Sequence, residues 1–230
     1  MDDAPETPSR FVDHVARLIR QIEVTIASDD ATLEAIYRLR YAAYLKAEYV
    51  QPLDPPLLTD HHDHDFNKVI FAMRYGGALI ATLRVHYVSP ECPNSPAVEA
   101  FPDMMNPELA ARKTIIDANR MAIDFDVARG IRELPFVISR LGILAADYFN
   151  ADVITVAQRS SHQSFYKREF NAKLVANPKE YPTLRLPTGL MFIDFRRDRQ
   201  MIIDRHRFYD STPDERKRLF GGLAKACGRA

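Results

Sequence analysis

Residues 114–175 constrain the fold more than any other stretch, because hydrophobic periodicity there switches from strand to helix and back. Thr114 to Phe125 is dense in β-branched and apolar residues and reads as a strand. Ala128-Arg129-Gly130 punctuates it. From Leu134 the positions Leu134, Val137, Ile138, Leu141, Ala145 and Tyr148 recur at helical spacing, which predicts an amphipathic helix ending at Asn150. Val153 to Val156 is a short apolar run, a buried parallel strand. His162 to Glu169 predicts a further helix, and Ala172 to Val175 the start of another strand. A strand–helix–strand unit of this kind is a right-handed crossover, with ligand-binding loops at the carboxyl ends of its strands.

The rest of the chain adds strands and helices around that unit. Phe11 to Gln21 predicts a short helix with Phe11, Val15, Leu18 and Ile19 on one face, and Glu23 to Ala27 a first strand. Asp29 and Asp30 offer capping chemistry to a long helix over Ala31 to Tyr49, with Leu33, Ile36, Tyr37, Tyr41 and Tyr44 facing inward. Three prolines keep Gln51 to Thr59 out of helix. Val69 to Tyr75 and Ala78 to Val88 form a hairpin about Gly76-Gly77. Alternation puts Leu79, Ala81, Leu83, Val85 and Tyr87 on one face of its second strand, and Thr82, Arg84 and His86 on the other. Pro90 to Lys113 reads as a long, proline-broken connection. Pro187 to Phe195 predicts a last strand, Arg196 to Arg207 a basic stretch, and Pro213 to Ala226 a C-terminal helix.

A chain of 230 residues, 47% hydrophobic, supports one sizeable core. We expect a disordered acidic tail over residues 1–10 and a single domain over 11–230. Lys plus Arg and Asp plus Glu both total 31, so no global charge favours nucleic acid as a partner. Cys92 and Cys227 lie far apart with no metal-ligand spacing and no secretory leader precedes them, so a reduced, cytoplasmic chain is expected. No apolar run approaches a transmembrane segment.

The order strand, turn, helix, strand, then a helix carrying Phe165-Tyr166, resembles the core of GNAT acyltransferases. Five segments in order carry the likeness further: Tyr37 to Tyr44, Asp63-His64-Asp65, Ala81 to Val85, Glu99 to Asp103, and Asp117-Ala118-Asn119-Arg120. Together they resemble the N-acyl amino acid synthases and the related acyl-homoserine-lactone (autoinducer) synthases. That resemblance implies an α/β (α+β) GNAT-like fold with a central mixed, twisted sheet flanked by helices. It implies a long-chain fatty acyl transferred from a phosphopantetheine thioester to a small amine, most simply an amino acid. No permanently bound cofactor is expected; the donor, acyl carrier protein or acyl-CoA, is itself a substrate. The rivals are a lactone synthase, a CoA-dependent acetyltransferase, and a GNAT-shaped acyl-binding module without catalysis. Tyr49 stands where the lactone synthases carry Trp, and the chain has no Trp.

On this resemblance Asp117, Arg120 and Arg84 are the catalytic candidates, and Arg40, Tyr44, Asp63, Asp65, Glu99 and Phe101 bind substrate. Asp117 is placed to take the amine proton directly or through water; the alternative is a structural ion pair with Arg120. Strict alternation puts those two on opposite faces unless a bulge intervenes. Arg40 and Arg84 sit in amphipathic elements and need acidic partners, among which Asp63 and Asp65 are nearest in sequence. The turn Val127 to Glu133 contains one glycine, fewer than a CoA pyrophosphate loop. It suits the single phosphate of a carrier-protein arm, held by Arg129, Gly130 and Arg132. A carrier protein is acidic, and Arg140, Arg159 and Lys167-Arg168 are further basic candidates to face it. Phe71, Met73, Phe101, Met104, Met105 and Leu141 are candidate acyl-tunnel residues. The run of His61, His62 and His64 among Asp60, Asp63 and Asp65 has metal-ligand chemistry, but no distant Cys/His cluster completes it. We read it as a solvent-facing loop lending one acid to the arginines, and assign no metal.

Overall fold

The computed structural model describes residues 10–181 and 184–229. The tail expected over residues 1–10 lies outside them except for Arg10, which opens α1. In chain order the elements are α1 (Arg10–Gln21), β1 (Ile22–Ile26), α2 (Asp30–Lys46), β2 (Lys68–Tyr75), β3 (Ala78–Val88), α3 (Pro96–Ala100), α4 (Pro102–Ala110), β4 (Ile115–Ile123), α5 (Phe125–Gly130) and α6 (Leu134–Phe149). They continue with β5 (Val153–Gln158), α7 (Ser160–Phe170), β6 (Lys173–Tyr181), β7 (Leu184–Asp194), α8 (Phe195–Arg205) and α9 (Pro213–Ala226). One seven-stranded mixed sheet runs β1-β2-β3-β4-β5-β7-β6. Among the described residues only β4 and β5 pair in parallel, joined by the crossover helix α6 that the periodicity predicts.

Local chemistry sets the boundaries. Asp29 caps α2 by accepting from the Thr32 amide at 2.8 Å, and α6 ends on Asn150 at φ 49°. The hairpin turns on Gly76 and Gly77, both at positive φ, which side chains resist. On one face of the sheet α6 buries Leu134, Ile138, Leu141 and Leu144 against Leu83, Val85 and Ile116, each worth about 1.5–3 kcal/mol when fully buried. On the other face α2 lies across β3 and β4.

Several expectations change. The inward stripe of α2 is Ile36 and Arg40, with the tyrosines only half-buried. Leu79 does not join Ala81 and Leu83. A register shift opposite Met73 and Arg74 inserts Ile80, and Leu79 packs with Ile36 and Ile70 on the other face. The connection over Pro90 to Lys113 is not unstructured. It holds α3 and α4, because Pro96 and Pro102 occupy first helical positions, where no amide is needed. Residues 125–130 form a short helix rather than a turn, and 195–205 are helical. Phe71, Met73 and Leu141 are core under α6, while Phe101, Met104 and Met105 belong to a second cluster with Tyr181 and Leu190. No helix among the described residues is long and apolar enough to cross a membrane.

Candidate active site

The site begins with β3. Alternation sends Thr82, Arg84 and His86 to the face away from α6, and all three are fully buried. A buried guanidinium needs anions, and Asp60 and Asp63 supply them. Arg84 Nη1 donates to Asp60 at 2.6 Å and to Asp63 at 2.7 Å, Nη2 to Asp60 at 3.1 Å, and Nε to the Asn119 carbonyl oxygen at 2.7 Å. Arg40, also fully buried, donates to the same Asp63 oxygen at 2.8 Å. Arg120 Nε donates to Asp60 at 2.8 Å. Burial pushes the Asp60 and Asp63 carboxyls up, but their arginine partners outweigh it and hold both below the ordinary carboxylate range.

Both acids ride on one turn of 3-10 helix, His61–His64. Its spacing explains the pairing: Asp63 reaches back to accept from the Asp60 amide at 3.1 Å, as in a capping box. This segment is no solvent-facing loop. His62 and Asp63 are buried, and two of its acids, not one, enter the arginine cluster. Asp65 turns the other way, accepting from His62 Nδ1 at 2.7 Å and His86 Nε2 at 3.2 Å. Burial raises the Asp65 carboxyl, the two imidazoles more than offset that, and it settles at about 2.

The bulge lies in β4. Arg84 pairs with Asn119 and Thr82 with Ala122, so the partner strand carries one extra residue, and Arg120 sits there at φ 51°. Asp117, Asn119 and Arg120 therefore share the Arg84 face. Just before the bulge, β4 and β5 pair at only three positions, ending at Asp117 with Thr155, and then diverge. The gap opens into a cleft. Ala118 to Met121 line one wall and Val156 to Arg159 the other. Tyr44, Tyr49 and Tyr181 lie to one side of the sheet, and Ser139, Gly142 and Tyr166 to the other. The cleft thus passes through the sheet. Among the described residues no carboxylate lines it. Burial raises the Tyr166 and Tyr181 phenols, keeping both protonated.

The expected residues divide. Arg84, Arg120 and Tyr44 line the cleft, and the Arg120 guanidinium lies 5.9 Å above the Tyr44 ring. Arg40 and Asp63 stand behind them. Asp117 is buried at the apex of the split but not on the lining; it accepts from Thr155 Oγ1 and from the Ala97 amide, each at 3.1 Å. It does not pair with Arg120, whose carboxylate is Asp60. Phe101 backs Tyr181 at 6.0 Å. Glu99 and Asp65 face the histidines, away from the cleft. Arg129 and Arg132 are exposed, and an added Cβ at Gly130 meets nothing within 4 Å, so packing does not demand that glycine. Arg140 is no surface cation: it donates to Glu215 and to the Phe208 and Asp210 carbonyls. Sequence reasoning passed over Asp60, His86 and Asn119. The Asp-x-x-Asp spacing was a usable signal for Asp60; Asn119 had none apart from the bulge.

A mixed sheet split between parallel central strands, with a cleft through the split, is the GNAT-type fold that the chain shares with solved acyltransferase structures. Residues 35–194 match the family model described as N-acyl amino acid synthase FeeM, and the chain belongs to that family. The structure of FeeM itself, an N-acyl amino acid synthase from uncultured soil microbes, superposes with a TM-score of 0.65 at 14% identity, covering 82% of this chain and 98% of that one. The AHL synthase LasI gives a TM-score of 0.58 at 13% identity over 87% and 95% of the two chains. The CoA-dependent acyl-homoserine lactone synthase BjaI gives 0.53 at 16% over 90% and 98%. No curated protein matches the sequence.

Proposed function

We propose that this acyltransferase moves a fatty acyl group from acyl carrier protein to the amino group of an amino acid. One observation carries the acceptor's identity. Among the described residues, three guanidiniums, Arg40, Arg84 and Arg120, meet two carboxylates, Asp60 and Asp63, in one buried cluster. Arg40 Nε and Nη2 are buried without a hydrogen-bond partner. A buried excess of positive charge is costly until an anion completes it. Arg84 and Arg120 present that excess at the cleft, where an acceptor carboxylate would supply the missing charge. The acyl carbonyl then lies in the split, beyond the last β4–β5 pair at Asp117 and Thr155, where strand amides can meet its oxygen. Asp117, one residue below the gap, takes the amine proton through a water. Tyr166 offers a proton donor on the far wall.

A different segment supports a carrier-protein donor. The segment before α6 has one glycine and two exposed arginines, Arg129 and Arg132, as a single phosphate on an acidic partner would require. A matrix of donors and acceptors tests both halves. Amino acids should exceed the matching decarboxylated amines in kcat/KM by about 10² or more, since a site built for a polar group rejects its absence strongly. Acyl carrier protein should exceed acyl-CoA by about tenfold or more at low salt, within the range set by complementary charge. Equal use of amines without the carboxylate overturns the acceptor; equal use of CoA thioesters overturns the donor.

A further inference from the structure

We infer that His61, His62 and Glu99 form a binding site for a divalent transition-metal ion of the zinc type, which clasps the Asp60–Asp63 turn to α3. His61 Nε2 and His62 Nε2 each lie 2.9 Å from the same oxygen, Oε2 of Glu99. The two ring centroids lie 4.0 Å apart, the planes tilted by 36°. The other nitrogen of His62, Nδ1, lies 2.7 Å from Asp65, whose carboxylate also accepts from the buried His86. A neutral imidazole carries one proton. Donated from Nδ1 to Asp65, it leaves the Nε2 lone pair facing a carboxylate oxygen. A metal ion resolves that conflict: two imidazole nitrogens and one carboxylate are a common zinc donor set. The carboxylate behind His62 is the partner that usually orients such a ligand. Zinc bonds of about 2.0–2.1 Å at tetrahedral angles put ligand atoms about 3.3 Å apart. Both histidine–Glu99 distances therefore need to open by only a few tenths of an ångström, all three ligand atoms already lie within 4.8 Å of one another, and His61 and Glu99 are free to adjust, with side chains 69% and 43% exposed. Their exposure also leaves the outer position open to water.

The ligand missing from the sequence pattern is thus a glutamate on another element rather than a second Cys/His cluster. Because Glu99 sits on α3 and the histidines on the acid-bearing turn, the ion acts on how Asp60 and Asp63 meet Arg84 and Arg120. It does not touch the cleft.

The test uses the full chain stripped with a chelator, titrated with Zn²⁺ by calorimetry and with Co²⁺ by visible absorption. The parent should bind one equivalent, show tetrahedral Co²⁺ bands, and gain about 5–10 °C in Tm at a hundredfold excess over Kd. His61→Ala, an exposed position, should keep the parent's circular dichroism and weaken binding by about 10–100-fold or more. Glu99→Gln should do the same, and His14→Ala, far from the turn, should not. Absence of binding in the parent, or binding that survives both His61→Ala and Glu99→Gln, overturns the site; protons alone would then hold the cluster.

Discussion

Arg84→Ala should lower stability by about 3–5 kcal/mol, the cost of stranding buried charge, and abolish acyl transfer. Two carboxylates and Asn119 hang on one fully buried guanidinium. For a chain of this length the loss corresponds to a fall in Tm of about 6–20 °C. Arg84→Lys should rescue little, since an ammonium cannot serve three acceptors in a planar fork. The variant also changes the acid limb. In the parent, Asp60 and Asp63 have depressed carboxyls. Their contribution is complete above the unfolded carboxylate pKa of about 4 and disappears as pH falls toward the folded values. Without Arg84, burial is opposed chiefly by Arg40 at Asp63 and by Arg120 at Asp60, both carboxyls rise, and acid unfolding should begin at a higher pH. Thermal melts from pH 3 to 7 read both effects. A Tm within a degree of the parent would show that the guanidinium is not buried and paired.

Asp117→Asn should cut single-turnover acyl transfer by about 10²–10⁴, the range for losing a general base, while leaving the fold nearly intact. The second half follows from the partners. Asparagine keeps one oxygen for the Ala97 amide, and its amide can donate to Thr155 Oγ1, because a hydroxyl accepts as readily as it donates. Donor binding should change little. Asp117→Glu, with its longer arm, should retain more activity than Asn. If Asn transfers acyl groups within a few-fold of the parent, Asp117 is a strut between α3 and β5, and the proton leaves by another route. If Tm collapses along with rate, the substitution has broken the apex and would not support proton transfer.

Periodicity made the scaffold legible: the hairpin, α6 with its Asn150 stop, the buried β5 and the C-terminal α9 all follow from local pattern. The site was legible only as a set of charges. Arg84 sits within an apolar strand and Arg40 within an amphipathic helix, so burial of either implied acidic partners. Which partners depended on a turn that brings Asp60 beside Asp63, and tertiary closure decided it. The tunnel candidates failed for a related reason. Phe71, Met73 and Met105 are large and apolar, but size does not say which face of which layer a side chain fills. Where a helix or strand obeys its period, sequence reads through to packing. At Ile80 and Arg120 one extra residue defeats it.

The extra residue at Arg120 works as a phase inverter. Before it, the even-numbered Ile116 and Ala118 point toward α6; after it, the odd-numbered Met121 and Ile123 do. Ironing the strand into a regular pleat with every residue kept would exchange inside for outside along half its length, whereas deleting Arg120 would restore the pleat with both faces unchanged and lose only its guanidinium. A conformation that favours glycine is occupied by arginine, at about 1–2 kcal/mol, so its guanidinium meets Asp60 on the same face as Arg84. The irregular position is what sets Asn119 and Arg120 side by side at the cleft; a regular strand would have parted them.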